Sequence, residues 1–383
     1  MLDGVLELGL EIVIDGGVVR EVRPHTGVPE MYVVSPAFVN AHSHLEYRGL
    51  LDAISAPEYG DWIREITRLK KEQDIGQVER DCFLAAKENV DTGVQIILEH
   101  SDRPFSGAAM RANNLQGAIF QEVITFLEHE SPKEKVAAVE QRAATNRAAF
   151  GGPVYLSAHA YQTVDELTQR YLASLATPLS IHVAETDAEN VFTRDGLGPI
   201  AEFYRENHVP FEKTGKSLLQ TLDDRGLVRK DTQLVHCCAM DDEDIGIVAK
   251  RNACVAHCPR SNKRLRCPDA PIRRMLDAGI KISLGLDSAA SSGPIDMFAE
   301  MRAALATSAD RGEPLTPEEV WTMATTAGFE SVRTILNSEK IWRIEPGCSA
   351  PLLKLHVSGA TSTEDLLAGN PSQVEQINLQ SSV

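Results

Sequence analysis

Eight short apolar runs alternate with amphipathic stretches along most of this 383-residue chain. The runs have the length and composition of buried strands, and the stretches between them have helical spacing. Strict alternation of strand and helix predicts parallel strands joined by helical crossovers. Eight such units favour an α/β fold with a closed (β/α)8 TIM barrel over an open sheet. The predicted strands cover residues 33–40, 93–98, 117–125, 153–159, 179–184, 233–238, 253–258 and 281–287.

The two ends of the chain differ from this pattern. Leucine and isoleucine alternate with other residues from 6 to 14, and an Asp-Gly-Gly turn then leads into 18–22, which predicts a β-hairpin. A second apolar run, 351–357, lies near the other end, so we expect the two ends to pair into one small β-domain. The polar tail from Gly369 onward is expected to be mobile. The predicted division is 1–35 and 344–383 for the small β-domain with its tail, and 36–343 for the barrel.

Polar residues recur where the predicted strands end. His42 and His44 close the first strand, and strand side chains repeat every two residues, so both imidazoles face the same side and can hold one divalent metal. Later strands end in the same way, at His159, His182, His236, His257 and Asp287. Functional groups of a (β/α)8 barrel lie at these carboxyl ends. The pattern therefore predicts a metal-binding and catalytic group.

Two carboxylates accompany the histidines. Glu185 comes three residues after His182, where the strand is ending, which makes it a candidate general acid and base. Asp287 follows a small apolar strand, and an aspartate there is costly to bury unless it is paired or bound to metal. His236 is either a ligand or a hydrogen-bond partner of the reacting water.

Other notable residues receive different interpretations. His100, at the end of the second strand, is a candidate substrate contact, and Trp62 is expected in the core or the pocket wall. Four histidines in helical or loop contexts are expected at the surface, namely His25, His129, His208 and His356. The seven cysteines are odd in number and include no Cys-x-x-Cys pair, which disfavours a disulfide framework and favours a reducing cytoplasm.

Charge and hydropathy exclude some partners. The formal net charge is -17, so no basic stripe is present to displace counterions from nucleic acid or to bind an anionic membrane surface. No stretch approaches 18 consecutive apolar residues, and the acidic start lacks a signal pattern. We expect a small-molecule substrate, no nucleic acid, no membrane and a cytoplasmic location. A homodimer is compatible with the sequence.

Together these segments resemble the amidohydrolase superfamily, and the resemblance extends over nearly the whole chain. It rests on residues 36–44, 157–161, 182–185, 236, 257–262 and 284–288. His-x-x-Glu at 182–185 and His-Cys-Pro-Arg-Ser-Asn at 257–262 are similar to the deaminase and chlorohydrolase branch. Segments 40–46 and 178–185, with Asp61-Trp62, look most like aminofutalosine deaminases.

The resemblance implies a ligand set and roles. One divalent metal per chain, usually zinc or iron, would be held by His42, His44, His182 and Asp287. His236 would contact the reacting water, Glu185 would pass protons to the substrate, and His159 would contact the substrate. Family members with two metals carry a carboxylated lysine near the end of strand four, and residues 153–161 contain no lysine.

The implied reaction is metal-dependent hydrolytic deamination of a small amino-heterocycle. An adenine nucleoside-like substrate such as aminodeoxyfutalosine is favoured, which would place the enzyme in menaquinone biosynthesis. Two alternatives stay open: the same apparatus acting as in a chlorohydrolase or a guanine deaminase, and a non-catalytic binding barrel. Two departures, a short first strand and Pro351 where the family usually has aspartate, concern only the small β-domain.

Overall fold

The strands of the chain form one parallel set and two smaller antiparallel sets. The structure, a computed structural model, describes residues 1–28, 32–56, 58–357 and 359–377. Its strands are β1 (Leu10–Asp15), β2 (Val18–Pro24), β3 (Val33–Pro36), β4 (Phe38–Ser43), β5 (Val94–Ser101), β6 (Gln116–Val123), β7 (Val154–Ala158), β8 (Leu179–Val183), β9 (Thr232–His236), β10 (Cys254–His257), β11 (Ile282–Leu284), β12 (Leu352–His356) and β13 (Gln373–Ile377).

Helices connect the parallel strands, and their starts follow the local sequence. Asp74, Ser217 and Thr316, for example, each precede a helix and accept a first-turn backbone N–H with a side-chain oxygen. The helices are α1 (Tyr59–Glu72), α2 (Ile75–Asp91), α3 (Ser106–Ala112), α4 (Pro132–Phe150), α5 (Glu166–Ser174), α6 (Asp187–Asp195), α7 (Gly198–Glu206), α8 (Leu218–Asp224), α9 (Asp242–Arg251), α10 (Pro259–Arg264), α11 (Ile272–Asp277), α12 (Ala289–Ser292), α13 (Met297–Asp310), α14 (Pro317–Ala324), α15 (Thr326–Leu336) and α16 (Thr363–Ala368).

Strands β4 to β11 form the barrel. They pair in parallel as two four-stranded halves, in the orders β4-β5-β6-β7 and β11-β10-β9-β8. One seam closes where the Asp287 N–H donates to the His42 carbonyl at 2.8 Å, and the other where the His182 N–H donates to the His159 carbonyl at 3.0 Å. The expected α/β barrel is confirmed, and its seams lie at the carboxyl ends of the strands.

Close packing between β5 and β6 requires a glycine. Gly117 has a φ of +133°, and a Cβ there would lie 1.8 Å from the carbonyl oxygen of Ile97. A larger residue would therefore push these two strands apart. At the amino end of the barrel, Phe38 packs edge-on against Phe298 and Trp321 at ring-centroid distances of 5.5 and 5.7 Å. Apolar packing thus fills the end of the barrel opposite the polar strand ends.

The first predicted strand, 33–40, is wrong as a single element. Residues Val33–Pro36 form β3, which pairs antiparallel with β12 outside the barrel, and only β4 belongs to the barrel. Pro36 has no backbone N–H to continue a ladder. Ala37 next donates its N–H to the Pro351 carbonyl at 2.9 Å, and the chain then enters the barrel. Pro351 is therefore accommodated directly before β12.

The small sheet has the order β13-β12-β3, so both ends of the chain contribute to it, whereas β1 and β2 form a separate hairpin. The hairpin joins the segment before β12 through Val19, which donates to the Cys348 carbonyl and accepts from the Gly347 N–H, both at 2.9 Å. The hairpin begins at Leu10 rather than near Leu6. The Leu6 N–H donates to the Thr363 hydroxyl at 3.2 Å, and Gly9, with a φ of +69°, turns the chain directly before Leu10.

The expectation of a mobile tail from Gly369 is also corrected. Residues Gln373–Ile377 are strand β13, which pairs along its length with β12. The rest of that expectation, residues 378–383, falls outside the described residues. None of the helices in the described ranges is both long enough and apolar enough to span a bilayer.

Candidate active site

Buried polar side chains occupy the carboxyl end of the barrel. His42 lies in β4, His182 in β8 and His236 ends β9, while His44 follows β4 and Asp287 follows β11. None of these five side chains is more than 9% exposed. The barrel therefore brings together residues from strands that are distant in sequence, as the strand-end pattern predicts.

Several of these strand ends turn through the left-handed region of backbone conformation. The φ angle is 47° at Ala184, 71° at His236 and 53° at Asp287. A non-glycine residue in this region costs on the order of 1–3 kcal/mol and persists only where the surrounding structure fixes it. The turn at Ala184 redirects the chain immediately before Glu185. Backbone strain is thus present at points where functional side chains leave the strands.

The side chains form a tight donor cluster. Oδ1 of Asp287 lies 3.6 Å from Nε2 of His42 and 3.7 Å from Nε2 of His44. One potential ligand atom from each of His42, His182 and His236 also lies within 4.8 Å of the others. Four imidazoles and one carboxylate thus converge on one small volume.

Hydrogen bonds fix which ring nitrogen of three histidines is free. Nδ1 of His44 lies 3.0 Å from the His100 carbonyl, and Nδ1 of His182 lies 2.7 Å from the His159 carbonyl. Nδ1 of His236 is 2.8 Å from Oδ1 of an asparagine, Asn262. These oxygens accept hydrogen bonds, so each Nδ1 carries the proton and each Nε2 keeps its lone pair.

His42 carries the strongest indication of a bound cation. It is fully buried, and neither ring nitrogen has a hydrogen-bond partner among the residues that the structure describes. Burial lowers the pKa of His42, His44 and His182, so these rings are neutral and suited to binding metal. Burial acts to raise the pKa of Asp287, but the adjacent rings of His42, His236 and His44 hold it below its usual range. Three neutral imidazoles and one carboxylate fit a zinc or iron ion.

A second apparent donor group does not make a metal site. Glu122, in β6, lies with its Oε1 3.9 Å from Nδ1 of His182, and these two residues group with His44. Nδ1 of His182 already donates to the His159 carbonyl, so it has no lone pair for a cation. Glu122 is therefore placed behind the ligand rings rather than among the ligands.

Glu185 occupies the position expected of a proton donor. It is 5% exposed, and its Oε1 lies 3.6 Å from Nε2 of His236. Burial raises the pKa of Glu185 to about 8, the charge of Asp287 adds to the shift, and a hydrogen bond from Tyr59 opposes it. At neutral pH the carboxyl group is therefore mostly protonated. A protonated acid beside a cluster of neutral imidazoles can transfer a proton to a bound substrate.

His159 lies at the edge of this group. It is half-buried, its ring centroid is 4.7 Å from that of His182, and its Nδ1 lies 2.9 Å from the Thr163 hydroxyl. Burial lowers the pKa of His159 to about 3, so the ring is neutral. A neutral ring partly open to the barrel mouth is suited to a substrate contact.

The structure separates the other candidates from this group. His100 lies behind His42, with ring centroids 4.2 Å apart, and its Nε2 bonds to Ser180, so it lies within the barrel. Trp62 is buried on α1, and its Nε1 has no partner among the described residues. His129 and His208 are exposed as expected, whereas His25 and His356 are half-buried.

Three neighbours of the site were missed by sequence reasoning. Glu122 could have been found from the sequence, because it is the penultimate residue of an apolar strand and so resembles the histidines at the strand ends. Asn262 lies in a motif that was recognised, but nothing local indicated its bond to His236. Tyr59 begins α1 and acts on the pKa of Glu185, a proximity that only the tertiary fold reveals.

Comparisons with known proteins show the family and the fold of this chain. The model of the amidohydrolase family matches residues 33–360. The 5'-deoxyadenosine deaminase of Methanopyrus kandleri is 30% identical over 341 residues, which are 85% of this chain and 73% of that protein. A zinc-bound adenosine deaminase from Xanthomonas campestris superposes with a TM-score of 0.81 at 21% identity, covering 97% of this chain and 87% of that one. The aminofutalosine deaminase of Helicobacter pylori, in complex with methylthio-coformycin, superposes with a TM-score of 0.80 at 19% identity. The match covers 98% of this chain and 95% of that one.

Proposed function

Because this chain belongs to the amidohydrolase family and is a hydrolase of carbon–nitrogen bonds in cyclic amidines, we propose that it is a metal-dependent deaminase of an adenine nucleoside-like substrate. One observation carries the proposal: the buried carboxyl group of Glu185 lies 3.6 Å from Nε2 of His236, beside the cluster of imidazoles and Asp287. A deaminase needs a donor for a ring nitrogen and an acceptor for a water proton, and this arrangement offers both. Aminodeoxyfutalosine is the leading substrate candidate.

The proposed ligands form one set. His42, His44, His182 and Asp287 would hold a single divalent cation, zinc or iron, and residues 153–161 have no lysine that could bridge a second. A cation bound there acts as a Lewis acid that lowers the pKa of water from 15.7 to about 7. The orphaned nitrogens of His42 support this assignment.

The chain's own residues then account for the proton transfers. Asp287 accepts a proton from the attacking water, and Nε2 of His236 orients that water. Glu185 protonates the ring nitrogen next to the carbon that bears the amino group, so that carbon can become tetrahedral. Asp287 then passes the proton taken from water to the amino group, and ammonia leaves. As the carbonyl forms, the remaining hydroxyl proton returns to Glu185 and restores the acid. His159 would contact the substrate, since its half-buried ring packs beside that of His182.

Substrate class rests on chemistry and on the relatives. The Methanopyrus relative is named for 5'-deoxyadenosine, an adenine nucleoside. The acidic chain, with a formal net charge of -17, disfavours a highly phosphorylated substrate.

A cytoplasmic location is supported by the seven cysteines, each a buried free thiol. Homodimer formation stays a prediction.

The substrate proposal predicts ammonia release from adenine nucleosides. Aminodeoxyfutalosine, 5'-deoxyadenosine, 5'-methylthioadenosine, S-adenosylhomocysteine, adenosine, guanine and a chlorinated triazine should be assayed in parallel. We expect preference for an adenine nucleoside, with one ammonia released per substrate and loss of the adenine absorbance, because the product carries a 6-oxo group. Turnover of guanine or the triazine, with none of any adenine nucleoside, would replace this assignment and leave the metal centre intact.

The ligand set predicts metal content. Purified protein is expected to contain one equivalent of zinc or iron per chain, measured by elemental analysis. His42→Ala should lower the metal content, since it removes a ligand whose nitrogens have no described protein partner. Two equivalents, both needed for activity, would contradict the mononuclear site.

A further inference from the structure

A buried ionic cluster lies beside the proposed metal site and has no part in the reaction described above. It consists of Tyr47, Lys70 and Asp102, here called the Lys70 cluster. Nζ of Lys70 donates to the Tyr47 hydroxyl at 2.5 Å and to Oδ2 of Asp102. The Tyr47 hydroxyl also lies 3.4 Å from the same Asp102 oxygen. Three residues from separate parts of the chain thus meet at one point.

The cluster is ionic and mostly shielded from solvent. The side chains of Lys70 and Asp102 are only 21% and 18% exposed. Burial acts to lower the pKa of Lys70, but the charges of Asp102 and Glu46 outweigh it and hold that pKa above its usual value. Asp102 is anchored in turn, because its backbone N–H donates to the Glu46 carboxylate at 3.0 Å. A buried ion pair is by itself weak evidence for a stabilising role. The position of the Lys70–Asp102 pair beside the proposed metal site therefore points to a different role.

Tyr47 connects the cluster to the site. Its ring stacks on the His44 imidazole, with centroids 5.1 Å apart and planes 19° apart. His44 also donates a hydrogen bond from its Nδ1 to the His100 carbonyl, and its ring packs against the rings of His42 and His182 at centroid distances of 4.8 and 5.7 Å. The hydrogen bond fixes the tautomer. The Tyr47 ring adds a stacked contact that restrains the orientation of the imidazole, provided that Tyr47 is itself held.

We propose that Tyr47 is a positioning residue for His44, and that Lys70 holds Tyr47 in place by binding its hydroxyl. The inference rests on the proposed role of His44 as a metal ligand. Lys70 lies in the last turn of α1, so the docking of this helix bears on the orientation of a proposed ligand. Partners that orient metal ligands typically change affinity or activity by about 10–100-fold when removed.

Two variants separate this role from a general loss of stability. Tyr47→Phe keeps the stacked ring and removes the hydroxyl that Lys70 binds. The double variant Lys70→Met with Asp102→Asn removes both charges together, so neither charge of the pair is left buried alone. Lys71→Met is the matched control, because Lys71 is the exposed neighbour on α1.

The measurements are the visible absorption of the Co²⁺-substituted protein, the rate of Co²⁺ loss to a chelator, and kcat and KM for the substrate that the parent deaminates. We expect both cluster variants to shift the Co²⁺ bands, to lose the metal about 10–100-fold faster and to lower kcat more than they raise KM. Lys71→Met should match the parent in each.

Each other outcome overturns a specific claim. Cluster variants with the parent's Co²⁺ spectrum and rate of metal loss, even at a lower unfolding temperature, would reduce the cluster to a structural role. If the double variant does not fold, Tyr47→Phe alone decides the question. A parent that fails to bind Co²⁺ would instead overturn the metal site on which the inference rests.

Discussion

Glu185→Gln is expected to lower kcat by about 10²–10⁴-fold while leaving the metal content at that of the parent. The amide keeps the size of the side chain but removes the transferable proton. Glu185 is not among the proposed ligands, and its Oε1 lies 3.6 Å from Nε2 of His236. Metal content and steady-state kinetics on the preferred substrate together test the assignment.

A neighbouring acid provides the control for this experiment. Glu189 is also buried, and burial raises its pKa to about 7, but its carboxylate accepts the Thr186 N–H at 2.9 Å at the start of α6. Glu189→Gln should therefore retain most turnover. Near-parental activity of Glu185→Gln would show that another group donates the proton.

Asp287→Ala is expected to remove both metal and turnover, by at least about 10³-fold in kcat/KM. The substitution takes away the one carboxylate of the ligand set, and Lewis-acid chemistry is worth several kcal/mol, with each 1.36 kcal/mol equal to about tenfold in rate. It also removes the proposed acceptor of the water proton. Metal content, measured beside kcat/KM, distinguishes this variant from Glu185→Gln.

The control for this variant is Asp277, an aspartate that is near Asp287 in the sequence but lies at the surface. Asp277 ends α11, and its side chain is 64% exposed in an ion pair with Arg273. Asp277→Ala should keep the parental metal content and activity. An Asp287→Ala protein that still bound one full equivalent of metal would remove Asp287 from the ligand set.

Local pattern predicted much of the barrel and its strand-end residues. Strand periodicity and the rule that function lies at carboxyl ends depend only on nearby residues, so His42, His44 and Asp287 were identified without a structure. The break at Pro36 was missed because Val33–Pro36 and Phe38–Ser43 are equally apolar, and the residues alone do not say which sheet each one joins.

Contacts that depend on the tertiary fold were not predictable in this way. Lys70 resembles any basic residue near a helix end, and only folding brings it to Asp102, 32 positions away. The prediction of where the hairpin begins was wrong for a related reason. Leu8 continues the alternation of Leu6 and Leu10, yet it is 63% exposed, so the pattern there does not report a buried face.

The position of the barrel seams has a consequence for how the protein matures. His42 and His44 belong to the β4–β7 half, and His182 and Asp287 to the β8–β11 half, so each half-barrel supplies only two of the four proposed ligands. The seam bond from Asp287 to His42 also joins residues from nearly opposite ends of the barrel sequence. Contacts of such long range form late in folding because their loop-closure entropy is large. A chain still emerging from the ribosome would hold a metal weakly, and full affinity would arise only when the ring closes.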